Sequence, residues 1–420
     1  MTTGDASAPP GAPTSSARVA SVGAGALAAF GAAALGAGLG RSILTAYLPL
    51  ILEGIRDSPL LIGIVMTANP ITGILVPLAV GGPADRLRRH GGDAARALVL
   101  GGAIVGAVGM LAVATLVSTG YLELALAAIV AYAGLAAGMT MHRSLVAERF
   151  APPLWARATG AQEIGLFVGA MLGLGVGATI VVAAPLPFVI GAVLVVLVAL
   201  PTLGHPLLAS RRGASVAAPR PSRPRLGDYL SILRRPGARV VIMVEALWVF
   251  GYAALPAFFL LYSEEVLDLR PVTASGLLLG FAVLAGAATV VAGNARTLEH
   301  RRRAALVSAL GLGIGLAWVA VGTTPIAVAP GLLVAAIGFG VISALGFPLF
   351  SAFAARDETG TITAVFFATR SLAAAMALVA SGALIALVDD YRAVFAMGVA
   401  PVLASVVLLI ALRAPPVRRG

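Results

Sequence analysis

Long apolar stretches recur along this chain at a spacing that leaves it one environment. A helix that crosses a bilayer needs ~20 mostly apolar residues. Twelve segments satisfy that requirement: 22–48, 61–82, 96–118, 121–147, 158–183, 186–203, 238–262, 272–293, 304–322, 327–355, 361–388 and 391–413, numbered below as spans 1 to 12. Charged residues make up 11% of the 420 positions, whereas a soluble domain carries about 25%. Too little charge remains to coat a water-facing surface, which excludes a soluble enzyme. A hydrophobic content of 59% equally excludes a disordered chain. The chain has no Cys, so disulfides, thiolate metal sites and Cys nucleophiles are excluded. Residues 1–20, rich in Ala, Pro, Ser and Thr, read as a disordered tail and lack the charged start and short apolar core of a cleaved signal.

All 29 basic residues are Arg, and their placement fixes an expected orientation. With the N-terminus inside, the inner loops and tails hold 24 of them and the outer loops hold three, Arg56, Arg270 and Arg392. Arg41 and Arg370 fall within spans. Cytoplasmic loops carry such an excess, so both termini are expected in the cytoplasm of a cell-membrane protein. The same bias accounts for the net charge of +11 without a nucleic-acid partner. The basic linker and the Glu299–Arg303 cluster read as orientation signals and contacts for anionic lipid head groups.

The longest inner loop, 204–237, is rich in Pro, Ser and Arg and divides the chain into a six-helix half at 21–203 and another at 238–413, with a tail at 414–420. A shift of 212 residues brings Glu53 onto Glu265, Pro59 onto Pro271, Gly81 onto Gly293, Arg89 onto Arg301 and Gly101 onto Gly313. Two parallel repeats across a basic linker are one layout of secondary transporters.

Between spans 2 and 3 the chain reads Gly81-Gly82-Pro83-Ala84-Asp85-Arg86-Leu87-Arg88-Arg89. This resembles the loop signature of the major facilitator superfamily, Gly-x-x-x-Asp-Arg-x-Gly-Arg, with Arg88 in place of the second Gly. The repeat copy from Gly293 to Arg301 keeps the Gly and the last Arg and lacks the Asp. The resemblance extends to His142–Gly177 and, with the helix count and the half repeat, covers nearly the whole chain. It implies that Asp85 meets the start of span 11 near Gly360 and Thr361. It further implies that Arg86 and Arg89 pair with Glu148, so that Gly81, Asp85, Arg86, Arg89 and Glu148 form an inner gate. Ordinary loop charge is the other reading of these residues.

Ionisable groups inside spans are costly and therefore functional candidates. This chain has Arg41 in span 1, Glu163 in span 5, Glu245 in span 7 and Arg370 in span 11. In the family that the motif resembles, spans 1, 4, 7 and 10 line a central path, which implies that Arg41 and Glu245 face it and that Arg370 reaches Glu245. Proton coupling needs a carboxylate that gains a proton on desolvation and loses it when a cation approaches. Glu245 with Arg370 meets that need, as does Glu163, and a fixed structural ion pair is the alternative. Trp248 and Tyr252 share a helix face with Glu245. With Tyr132 of span 4 and Asn69 of span 2 they are substrate-path candidates, against a packing role.

Two patterns point to different solutes. Gly160, Gly169, Gly173 and Gly177 are similar to the family's antiporter motif, although Leu174 replaces its Pro; close helix packing is the other reading. Asn69-Pro70, Gly73 and Pro77 are similar to sucrose and glycoside permeases, without their Gln. The four His residues have no ligand spacing, and no phosphate loop is present, so neither a metal nor a nucleotide cofactor is expected.

The expected molecule is an all-α integral membrane protein with twelve transmembrane helices, a monomer without enzymatic activity. It moves a small organic solute by alternating access with protons as the driving ion, in the direction of export of a drug-like compound or metabolite. Sugar or glycoside proton symport is the alternative within this class. A lipid flippase or a non-transporting membrane sensor is the alternative outside it.

Overall fold

The computed structural model describes residues 24–89, 94–150, 155–200, 231–293, 297–353 and 359–412. Every regular element among them is helical. Span 1 is Ala24–Ile55, span 2 is Pro59–Met66 with Ala68–Arg89, and spans 3 to 6 are Ala94–Leu116, Tyr121–Arg149, Trp155–Gly177 and Leu186–Ala199. Span 7 is Pro236–Tyr252 with Leu255–Glu265, and spans 8 to 12 are Pro271–Ala292, Leu298–Val321, Pro325–Ser351, Thr359–Val388 and Ala393–Ala411. Among the described residues, eleven stretches are long and apolar enough to cross a membrane, and the sixth expected span is a helix of 14 residues. It starts at the expected residue, just after Pro185 and a short 3-10 turn, Ala178–Val181, and ends at Ala199, while 201–203 of the expected span lie outside the described residues. The expected tail at 1–20, most of the linker and the residues after 412 lie outside the described residues.

Prolines set the helix boundaries. Pro59, Pro236, Pro271 and Pro325 open their helices, where a missing N–H is no loss. Pro70 and Pro256 instead sit just past a break and divide spans 2 and 7, because proline cannot bond the carbonyl one turn back. Around the first break, Thr67 Oγ1 donates to Ile64 O at 2.6 Å and Thr72 Oγ1 to Ala68 O at 2.7 Å. Such hydroxyls supply the donors that a disturbed helix needs in an apolar medium.

The outward faces are apolar, with Leu78, Val307, Ile326 and Leu387 largely exposed. Lipid gives such helices no hydrophobic reason to associate, so contact depends on small residues that let backbones approach. Spans 1 and 5 meet in this way. Gly165 lies on the backbone of Gly31, Gly169 on that of Leu35 and Gly173 on that of Leu39, while Gly177 is covered by the Tyr47 ring. A Cβ at any of them would enter its neighbour. Gly165, Gly169, Gly173 and Gly177 of span 5 thus form a packing seam, while Gly160 and Gly175 face open space.

The pairings repeat between the two halves. Spans 1·5, 2·4, 3·4, 3·6 and 1·6 pack together, and so do 7·11, 8·10, 9·10, 9·12 and 7·12. Contacts between the halves follow the same two-fold: 2·11 exchanges with 8·5, and 1·7 maps onto itself. Half-to-half contact is polar at the end remote from the termini. There the Tyr47 hydroxyl lies 2.6 Å from Leu174 O and 2.7 Å from Ser275 Oγ, and the Tyr391 hydroxyl donates to Glu53. Burial and the bond to the Glu53 carboxylate hold the Tyr391 phenol well above its usual range. Nearer the termini side, Arg143 and Glu163 are 41% and 56% exposed.

Among the boundaries that differ from the sequence reading, two bear on its motifs. The helix of span 2 continues to Arg89, so the Gly81–Arg89 motif occupies its last turns rather than a loop. With Arg88 where a turn-permitting Gly is usual, the stretch after Pro83 consists mostly of good helix formers, Ala, Leu and Arg. Span 9 begins at Leu298, which places Arg302 and Arg303 in its first turns, paired with Glu299 at 3.6 and 2.9 Å.

The seam between spans 1 and 5 makes a stability prediction. Gly165→Ala forces its methyl into the Gly31 carbonyl and is expected to lower the thermal midpoint in detergent by several degrees, as overpacking costs ~1–3 kcal/mol. Gly160→Ala, which meets open space, is expected to leave the midpoint unchanged.

Candidate functional site

Glu245 is the tenth residue of Pro236–Tyr252, and Arg370 the twelfth of Thr359–Val388. At 1.5 Å per residue both heads lie roughly 14–17 Å in from the same side, on neighbouring spans. They meet: Arg370 Nη1 donates to Glu245 Oε1, and Arg370 Nη2 donates to the Tyr252 hydroxyl at 2.8 Å. The guanidinium is therefore held by one carboxylate and one phenol of the same helix face. Glu245 is 1% exposed, while Arg370 remains 28% exposed. The second carboxylate oxygen, Oε2, has no hydrogen-bond partner. It is pressed against Gly346 of span 10, where a Cβ would collide with it.

Aromatic rings surround this pair. Phe366 lies 5.6 Å from the Arg370 guanidinium and contacts Phe347, Phe350 and Phe367. Tyr252 meets Phe339 edge-on at 4.6 Å, and Phe339 continues to Phe281. The sequence reading singled out none of these phenylalanines, nor Gly346. Their signal was faint because Phe and Gly are ordinary in any apolar span. Trp248 requires a correction. It is 1% exposed, and its indole N–H donates to Ser405 Oγ of span 12 at 2.8 Å. The ring packs between spans 7 and 12, because a buried indole needs a hydrogen-bond acceptor and span 12 supplies one.

The other half contributes a second cluster. Arg41, Asn69, Gly73, Tyr132, Leu135, Ala136 and Met139 line a small, partly open pocket. The Tyr132 hydroxyl lies 3.2 Å from Thr45 Oγ1. Nearby, Arg143 pairs with Glu163 at 3.6 Å. Glu163 is the ninth residue of its helix, deeper than the span start assigned from sequence. His142 is buried, stacks on Phe30 and hydrogen-bonds Gln162.

The clusters adjoin across the two halves. Arg143 lies over the Phe367 ring at 5.1 Å, and a Cβ on Gly73 would sit 3.6 Å from Ser371 Oγ, next to Arg370. Arg41, Asn69, Tyr132, Glu163, Glu245, Tyr252 and Arg370 therefore belong to one region, and Trp248 stands outside it. The side chains of Gly81, Asp85, Arg86, Arg89 and Glu148 lie outside the described residues, as do those at the start of span 11.

The Glu245–Arg370 contact has a measurable energetic signature. Removing one partner of a buried pair leaves an uncompensated charge and costs about 3–5 kcal/mol, whereas replacing both is close to neutral. Arg370→Met is expected to lower thermal stability strongly, and Glu245→Leu in the same chain is expected to restore most of it. Unfolding of the two variants in one detergent measures this, and no rescue by the second substitution would show that the charges are not mutually compensating.

The arrangement has counterparts among known proteins. No curated protein matches the sequence. Among solved structures, the chain is similar to a bacterial homologue of the human lysosomal transporter Spinster in an inward-facing and occupied conformation. That likeness has 14% identity, a TM-score of 0.67 and coverage of 92% of this chain and 94% of that one. The unoccupied inward-facing form of the same homologue gives 15% identity and a TM-score of 0.69 over the same shares. A mutant of the nucleoside transporter NupG gives 12% identity and a TM-score of 0.74, covering 92% of this chain and 99% of that one. At these identities the likeness establishes the fold. The model of the Major Facilitator Superfamily matches residues 30–378, most of the chain, and the protein belongs to that family of alternating-access transporters.

Proposed function

We propose that this carrier exchanges a proton at Glu245 and uses it to drive a small, ring-bearing organic solute out of the cell. The Glu245–Arg370–Tyr252 contact supports this reading more than any other observation. A carboxylate with one oxygen on a guanidinium and the other without a partner has room for a proton. When that proton arrives, Arg370 loses its counter-charge and keeps only the Tyr252 hydroxyl. The site then gains one positive charge, and spans 7 and 11 lose the attraction that joins them. Any event that favours one state of this pair shifts the balance between conformations, because a ligand moves an equilibrium by its differential affinity for the two.

The aromatic wall of Phe281, Phe339, Phe347 and Phe366 supports a solute with a flat apolar body. The exposure of Arg143 and Glu163 nearer the termini supports loading from that side. With the Arg excess on the same side, this side is the cytoplasm and the protein resides in the cell membrane. In the outward-open state the Tyr47 and Tyr391 contacts part. At the opposite end, Asp85, Arg86, Arg89 and Glu148 close the inner gate.

Purified protein in liposomes with an imposed pH gradient tests the coupling. Glu245→Gln fixes the neutral state. Gradient-driven solute movement is expected to fall to background, with equilibrium exchange intact because exchange moves no net proton. Loss of both would make Glu245 a structural or solute-binding acid, and unchanged driven transport would move the proton site to Glu163. Orientation has its own test, since the native chain has no Cys. A single Cys at Ser215 is expected to resist an impermeant thiol reagent in intact cells and to react after permeabilisation.

A further inference from the structure

The three arginines of the central region are not alike. Arg143 is paired with Glu163 at 3.6 Å, and Arg370 with Glu245. Arg41 has no carboxylate within 4 Å among the described residues. It is the eighteenth residue of the 32-residue span 1, about 26 Å along the helix by its rise, and so lies near mid-membrane. Its side chain is exposed there, at the small, partly open pocket that it lines with Asn69, Gly73, Tyr132, Leu135 and Met139. That lining offers one full positive charge, an amide and a phenol, and no carboxylate.

A bare guanidinium at this depth is expensive and is retained where it does work. Its planar fork matches a carboxylate or phosphate with two parallel hydrogen bonds, which a neutral hydroxyl or amide cannot equal. The charge count of the region agrees. Three arginines face two glutamates, so one negative charge is missing.

We propose that the solute is a small organic anion whose oxyanion docks on Arg41. Asn69 and Tyr132 bound the oxyanion pocket, and the apolar body of the solute extends toward Phe366 and Phe367 of the opposite half. The proposal rests on the carrier reading above and names its cargo. Binding of the anion brings the region to neutrality without titrating a protein group. It also places the solute between the halves, with its charge on span 1 and its body on span 11.

The test uses full-length protein in nanodiscs with three probes of one skeleton: benzoate, phenyl phosphate and benzamide. Thermal stabilisation is recorded against probe concentration. At least one anion is expected to give a saturable shift, with benzamide bound at least tenfold more weakly. A response to benzoate alone assigns a carboxylate, and one to phenyl phosphate alone assigns a phosphate. Arg41→Gln is expected to weaken anion binding at least tenfold, and Arg41→Lys to recover part of it. Asn69→Asp provides a variant in which Arg41 keeps its charge but gains an internal carboxylate beside it. It is expected to fold normally and to exclude the anion.

The proposal is overturned if benzamide binds as tightly as the anions, if anion affinity survives Arg41→Gln, or if neither anion gives a saturable response. Glu245→Gln separates the two readings, because it is expected to retain anion binding while losing gradient-driven transport. Anion binding that depends on Arg41, together with driven transport that ignores Glu245, would leave the cargo assignment standing and remove the proton site.

Discussion

Helices in hydrocarbon have nothing to gain from hiding apolar side chains from one another, and the architecture of this protein follows from that constraint. What remains is contact between backbones, interhelical hydrogen bonds and a few charges. The 50 glycines supply the first of these. Where Gly31, Gly165 and Gly169 bring spans 1 and 5 into backbone contact, the helix that carries Arg41 is fixed against the helix that carries Glu163. Where Gly346 admits the Glu245 carboxylate, span 10 approaches span 7 at the level of the ion pair. The polar site is thus positioned by residues that have no side chain to contribute to it.

The two-fold relation between the halves is close in backbone packing and broken in chemistry. Spans 1·5 and 7·11 are equivalent pairs. The first holds Arg41 and Glu163, the latter paired with Arg143 of span 4, and the second holds Glu245, Tyr252 and Arg370. Charge is therefore distributed unequally between two similar frames. One frame holds a cation without a carboxylate partner, and the other a carboxylate oxygen without a donor. The cation stands on span 1 and the carboxylate oxygen on span 7, so the two halves present different chemistry to one another.

Much of this was legible in the sequence because the relevant signals are local. Apolar length marks the spans, and a carboxylate and a guanidinium inside spans 7 and 11 stand out in a chain with so few charges. Helix periodicity placed Tyr252 beside Glu245 correctly, yet the same argument misplaced Trp248. Periodicity gives a shared face but not the neighbour, and Ser405 lies 157 positions away. The contacts at the end remote from the termini were illegible for the same reason. Tyr47 and Ser275 are 228 positions apart, and Tyr391 and Glu53 are 338. No short window distinguishes a tyrosine that joins two halves from one that anchors at an interface. The sixth span begins where apolar length placed it, directly after Pro185, and its described helix ends at Ala199.

The break in span 7 divides its labour. Below it, Pro236–Tyr252 is tied to spans 11 and 12 through Arg370 and Ser405. Above it, Leu255–Glu265 packs against span 1 and is buried along most of its length. The segment above the break is eleven residues, a lever of about 16 Å, joined to the rest of its span by Ala253 and Ala254. A segment of that size can turn about a two-residue joint while the part that holds Glu245 keeps its contacts with spans 11 and 12. Movement at one end of the span is then mechanically separable from change at the Glu245–Arg370 contact.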